Sequence, residues 1–103
     1  MIHHVVSVRL LPDTNSLDVQ NLCDTLSGLA ATLDGVVSYA IGTDLRLRDG
    51  NDDLAIVGAF ADSESLHRYL SHPEHLAVLA KFGPRCIAEK HSVQFESTDR
   101  TPE

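Results

Sequence analysis

Tryptophan is absent from the 103 residues, and cysteine, tyrosine and phenylalanine contribute only two, two and three. Cys23 and Cys86 stand far apart with no CxxC and no metal-type spacing, so they read as two buried or half-buried free thiols in a reducing compartment. Positive charge is also scarce: 8 Lys and Arg against 15 Asp and Glu leave a formal net charge of -7. That balance disfavours nucleic acid and anionic lipid, which reward clustered basic side chains. No apolar run approaches the ~20 residues that a membrane span requires, and the N-terminus lacks the charged-then-apolar layout of a secretory leader. The expected compartment is therefore the cytoplasm. There is no Gly-rich phosphate cradle and no GxSxG. The acidic stretch Asp44, Asp49, Asp52 and Asp53 lacks the alternation and central glycine of a calcium loop.

What is present is enough apolar material, 43% of the chain, to build one core in one domain over residues 1–97, with a frayed tail over 98–103. Ile2 to Leu11 is valine-rich and apolar on both alternating faces, as in a strand covered on both sides. Pro12 to Asn15 is a turn cluster, with Asn15 or Ser16 as the cap of a helix. Val19, Leu22, Leu26, Leu29, Ala30 and Leu33 make one stripe of that helix. Asp34-Gly35 ends it. A second strand follows from Val36 to Gly42, with Val37, Tyr39 and Ile41 on one face, then an exposed, mobile connection from Thr43 to Asp53. Leu54 to Phe60 is a third strand in which Gly58 signals a bulge or a close approach, and Glu89 to Glu96 is the last, with His91, Val93 and Phe95 on one face.

Between the last two strands lies Asp62 to Phe82, which holds three of the six histidines and one tyrosine. Pro73 can start a helix but cannot continue one, so the stretch predicts a helix ending near Leu70, a corner at Ser71 and His72, and a second helix from Pro73. Ser71 and Glu74 have capping-box spacing, which makes His72 mainly architectural. Gly83-Pro84 is expected to break the chain again. The order β-α-β-β-α-α-β is that of an α+β, ferredoxin-like βαββαβ fold with a split second helix and a four-stranded antiparallel sheet. Helices cover one sheet face. The other is apolar and uncovered, and a second copy of the sheet is the expected cover, giving a homodimer.

His4-Val5-Val6, Leu54-Ala55-Ile56-Val57, Phe60, Tyr69-Leu70-Ser71-His72-Pro73-Glu74-His75 and Val93 to Glu96 together resemble the stress-responsive dimeric α/β-barrel (Dabb) family. The resemblance implies a ferredoxin-like protomer paired sheet to sheet, a dimeric α+β barrel. One plant member closes a linear polyketide thioester by aldol condensation with neither cofactor nor metal. Carried over by position, His75 matches its base, Tyr69 the assisting phenol and His4 its initial histidine, while a further histidine is replaced by Leu54. The expected ligand wall is thus His4, Leu54, Tyr69 and His75, with Tyr69 and His75 as candidate catalysts, no metal and no cofactor. An imidazole with an ordinary pKa near 6.5 takes a proton from an acidified carbon at neutral pH, and a phenol holds the developing enolate. The bland alternative gives Tyr69 a core ring with a rim hydroxyl and His75 a backbone carbonyl to bond, in a non-catalytic stress-linked homodimer. Fold analogy adds a weaker one, a cofactor-independent monooxygenase.

Overall fold

The computed structural model describes residues 1–98. The elements are β1 (Ile2–Leu10), α1 (Ser16–Thr32), β2 (Val36–Thr43), β3 (Leu54–Phe60), α2 (Ser63–Leu70), α3 (Pro73–Cys86) and β4 (Ile87–Glu96). The sheet is antiparallel with order β2-β3-β1-β4, the ferredoxin-like arrangement expected. From residue 99 on, the expected tail lies outside the described residues.

Each helix start has a side-chain cap. The Leu17 amide donates to Asn15 Oδ1 at 2.7 Å, the Ser65 amide to Asp62 Oδ1 at 2.8 Å and the Glu74 amide to His72 Nδ1 at 3.1 Å. The cap of α3 is therefore His72 and not Ser71, whose hydroxyl instead donates to the His67 carbonyl and closes α2. Pro73 then occupies the first turn, where its missing N–H costs nothing.

Three local expectations are corrected. Gly83-Pro84 does not break the chain, because α3 runs through it to Cys86. Pro84 falls near the helix end, and the loop after β1 satisfies the terminal carbonyls: the Leu11 amide donates to Cys86 at 2.7 Å and the Thr14 hydroxyl to Arg85 at 3.0 Å. In β2 the register shifts between Val36 and Ser38, so Val36 packs on the core with Tyr39 while Val37 is turned out and 55% exposed. The last strand starts at Ile87, two residues early, where a register shift at Arg9/Leu10 pairs it with Leu10.

The helix-covered face holds two adjoining cores. The larger joins Val6, Val8, Leu54 and Ile56 of the sheet to Leu22 and Leu26 of α1 and Val78, Phe82 and Cys86 of α3. The smaller, at the other end, joins Phe60 to Leu29, Leu66 and Tyr69. Cys23 and Cys86 are free thiols, and burial pushes the Cys23 thiol upward, with Asp24 adding to the shift. The opposite sheet face carries Val5, Val57, Val93 and Phe95 with no element of the described residues over it, and the last three are about half exposed.

Gly58 stands opposite both His4 on β1 and Tyr39 on β2. A Cβ there would meet Phe60 Cε1 at 2.9 Å and Tyr39 Cδ2 at 3.4 Å, so the expectation of a close approach holds and the bulge lies elsewhere. Phe60 is fully buried and has nowhere to retreat. Gly58→Ala is expected to lower stability by about 1–3 kcal/mol through overpacking, read as a lower midpoint in urea with an unchanged slope; an unchanged midpoint would show that the ring pair yields freely.

Candidate functional site

The corner between α2 and α3 brings Tyr69 and His75 together against the sheet. Their rings are 4.7 Å apart between centroids, and Tyr69 also meets His4 edge-on at 6.3 Å, Phe60 at 5.5 Å and Tyr39 at 5.8 Å. All three expected polar residues are buried: Tyr69 is 1% exposed, His4 5% and His75 8%. Pro73 makes this possible, because six residues along one continuous helix would put Tyr69 and His75 on different faces, whereas the corner folds them onto one cluster.

Leu54 does not join them. It pairs with Val8, four residues along β3 from Gly58, about 13 Å at the rise of a strand, and packs in the larger core. The replacement of a histidine there by leucine thus belongs to apolar packing in this chain.

Two partners were not foreseen. The Tyr69 hydroxyl is not at the rim but lies 2.8 Å from the Tyr39 hydroxyl inside the protein. Burial raises both phenols, most strongly Tyr39, so both stay protonated at neutral pH. The signal for Tyr39 was the strand alternation that put it on the Ile41 face, with the missing side chain of Gly58 beside it. Gln94 on β4 is exposed, and its amide reaches His4 Nδ1 at 2.9 Å. With the amide donating, neutral His4 carries its proton on Nε2.

His75 differs from every other polar group of the cluster: its Nδ1 is buried and has no hydrogen-bond partner. No bond of full hydrogen-bond geometry reaches Nδ1, but the Leu70 backbone carbonyl is close enough to the ring to stand as the expected carbonyl partner and to oppose a fall in pKa. Burial dominates and lowers the pKa of His75, with the charge of Lys90 and the neighbouring imidazoles adding to it. His4 is lowered by burial and by Lys90. Both rings are therefore neutral bases at pH 7. An unpartnered buried nitrogen costs about 1–3 kcal/mol, a cost that packing alone does not explain.

The other histidines are outside the cluster. His3 points to the open face, stacks on Phe95 at 4.8 Å and bonds Ser97 Oγ at 2.8 Å; His67 and His91 are exposed. Among the described residues no group of three or more His, Cys, Asp and Glu is placed to hold a metal. No helix of the described residues is long and apolar enough to cross a membrane. Five cavities of about 220 to 490 Å³ open on the described residues without His4, Tyr69 or His75 in their linings. One of about 310 Å³ comes within a residue of them: it is lined by Ile2, Leu66, Leu70, Phe95 and Gln94, the partner of His4.

The family model of the stress responsive A/B barrel domain matches residues 2–98. The chain belongs to this family. A dimeric ferredoxin-like protein of unknown function from Thermobifida fusca is 33% identical, with 91% of this chain and 88% of that one covered and a TM-score of 0.81. A Dabb family protein from Mesorhizobium loti, also ferredoxin-like, is 18% identical over 94% and 96% of the two chains, with a TM-score of 0.74. The hydroxynitrile lyase of Passiflora edulis is 16% identical over 98% and 96%, with a TM-score of 0.79, a likeness of fold. No curated protein matches the chain.

The two lowered imidazoles set a pH dependence. Unfolded, they take up protons as pH falls through about 6.5, while the folded chain resists until a lower pH. Their contribution to stability is complete above about pH 6.5 and is lost as pH falls from there towards the folded values. The thermal midpoint is expected to drop between pH 7.5 and 5.5, and to drop less steeply in His75→Gln. Parallel curves for the two proteins would contradict the assignment.

Proposed function

We propose that the protein is a homodimer, paired through its open sheet faces, that binds a small carbonyl compound with an apolar body at the Tyr69–His75–His4 cluster and acts on it by cofactor-free acid-base chemistry. The observation that carries this reading is the unpartnered Nδ1 of buried, neutral His75 beside the Tyr39–Tyr69 hydroxyl pair. A bound ligand supplies the missing partner. His75 would take a proton from a carbon next to a carbonyl, with the Tyr69 hydroxyl donating to the developing enolate oxygen, or from the hydroxyl of a hydroxynitrile, whose C–C bond then breaks to release the carbonyl compound and cyanide. Tyr39 holds the Tyr69 hydroxyl in place, and His4 closes the far side with its orientation set by Gln94. The 310 Å³ groove between α2 and β4 supports an entry route, since Gln94 and Leu70 separate it from the cluster. The lyase and cyclase precedents in this fold are consistent with such chemistry but differ from each other in substrate, so the class proposed is the proton transfer they share.

A second reading has its own observation. With Tyr69 1% exposed, the single chain seals the cluster. In that reading the rings only brace the corner, and the protein is a non-catalytic, stress-linked homodimer.

One experiment separates them. Wild type, His75→Ala and Tyr69→Phe are incubated with linear β-polyketone thioesters and with an aromatic hydroxynitrile, and product is followed by absorbance and mass. Loss of general-base catalysis predicts a fall of about 10²-fold or more in His75→Ala, with a smaller fall in Tyr69→Phe. Equal rates in the three proteins, or no saturable binding of either compound by wild type, would leave only the bracing role.

A further inference from the structure

The open sheet face ends in a hollow of about 490 Å³ whose floor includes Ser7, Gly42 and Ala55, neighbours across β1, β3 and β2. Leu45 and Leu47, from the connection between β2 and β3, form its wall. They are 78% and 80% exposed, more than any other large hydrophobic side chain of the described residues. Scattered exposed leucines are ordinary, but these two are held where they are. Arg46 between them adopts a φ of 59°, a left-handed conformation that non-glycine residues avoid, and its guanidinium bonds Asp53 Oδ1 at 2.6 Å. Asp44 accepts from the Arg46 amide at 3.0 Å and from the Asn51 side chain at 3.2 Å. Asp53 accepts from the Leu10 amide at 2.8 Å and its own amide donates to the Val8 carbonyl at 2.9 Å, while the Ser7 hydroxyl donates to Asp52. The connection is exposed as expected, yet it is tethered at both ends, through Asp44 and Arg46 and through Asn51 to Asp53. Asp44, Arg46, Asn51, Asp52 and Asp53 spend their side chains on the protein while the two leucines are left outside.

We propose that Leu45 and Leu47 are a rim clamp for a second copy of this chain, closing over apolar side chains of the partner's open face. This rests on the homodimer reading above and extends it from the sheet to the loop. Three observations select a second copy as the occupant. An isologous interface needs one surface that carries both projections and a recess; Val93 and Phe95, each about half exposed on the β4 side of this face, are projections, and the hollow is the recess. The open-face positions of β1, β2 and β3 include no acidic side chain, and Asp44 and Asp52, which line the hollow, are engaged within the chain by Arg46, Asn51 and Ser7, so two copies of net charge -7 meet without a free carboxylate at the sheet centre. Four strands about 4.8 Å apart, paired over seven residues, give a planar footprint on the order of 500 Å², short of the roughly 800 Å² that each partner of a stable dimer contributes. Apolar surface at the rim widens it.

The test is the mass of the full-length chain by sedimentation over a concentration series, for wild type, Leu45→Ser/Leu47→Ser and Val57→Asp. A dimer is expected for wild type and a monomer for Val57→Asp, which puts a charge at the sheet centre. Two-fold symmetry places each loop in the interface twice, so the double leucine variant is expected to raise Kd about a hundredfold or more, with an unchanged thermal midpoint for the monomer because both side chains are already exposed. A wild-type dimer whose Kd the leucine changes leave alone would overturn the clamp and keep the sheet pairing. A monomeric wild type would overturn both. Should the double variant fail to fold, hydrogen exchange of wild type reads the same contact: amides 44–48 protected at high concentration support the clamp, and protection independent of concentration overturns it.

Discussion

The hydrogen bond between the Tyr39 and Tyr69 hydroxyls is the contact on which the smaller core depends. It ties the edge strand β2 to helix α2 across a space that exists because Gly58 has no side chain. Both phenols are taken out of water, which is tolerable only if each hydroxyl finds a partner. They find each other, one donating and the other accepting, which leaves the proton of the accepting hydroxyl available for a further acceptor. Around that pair the rings of Phe60, His4 and His75 fill the remaining volume. Every buried polar atom in this cluster that is accounted for makes the exception sharper. His75 Nδ1 has been carried into the core by the same corner and left without a partner.

The fold was legible in the chain to an unusual degree because its punctuation is strong. Asn15 and Pro73 mark two helix starts, Gly35 with a φ of 86° marks a turn, and alternation marks four strands, whereas the Asp62 cap of α2 emerges only from the structure. The errors fall where a local signal was answered by a tertiary contact. Gly83-Pro84 is a breaker in isolation, but amide and hydroxyl donors from the loop after β1 reach the helix end and let α3 run on. The β2 bulge reversed the facing of Val36 and Val37, and nothing in an unbroken run of apolar residues shows where an extra residue is inserted.

The site was only half legible, for a different reason. Tyr69, His75 and His4 could be gathered from spacing and resemblance, and they do converge. Leu54 was drawn in by position in a family pattern, and the register of β3 places it two alternations too far along. Tyr39 and Gln94 were missed because they come from strands at opposite edges of the sheet. Only strand order puts the first beside β3 and the second beside β1. Strand order is a non-local fact, and no window of sequence contains it.

The two faces of the sheet divide the protein's work. The covered face spends its aromatic and polar residues on a sealed cluster that contains two neutral imidazoles. The open face carries small and apolar residues and ends in a hollow walled by two tethered leucines. These faces communicate through β4, an edge strand that is exposed along nearly its whole length. Its successive residues alternate between them: Phe95 stacks on His3 at the open face, and Gln94 bonds His4 on the covered one. Anything that seats β4 against a second copy therefore fixes the side chain that orients His4 and lines the groove beside it. In the dimer proposed above, sheet pairing and access to the cluster would be coupled through one dipeptide, Gln94-Phe95.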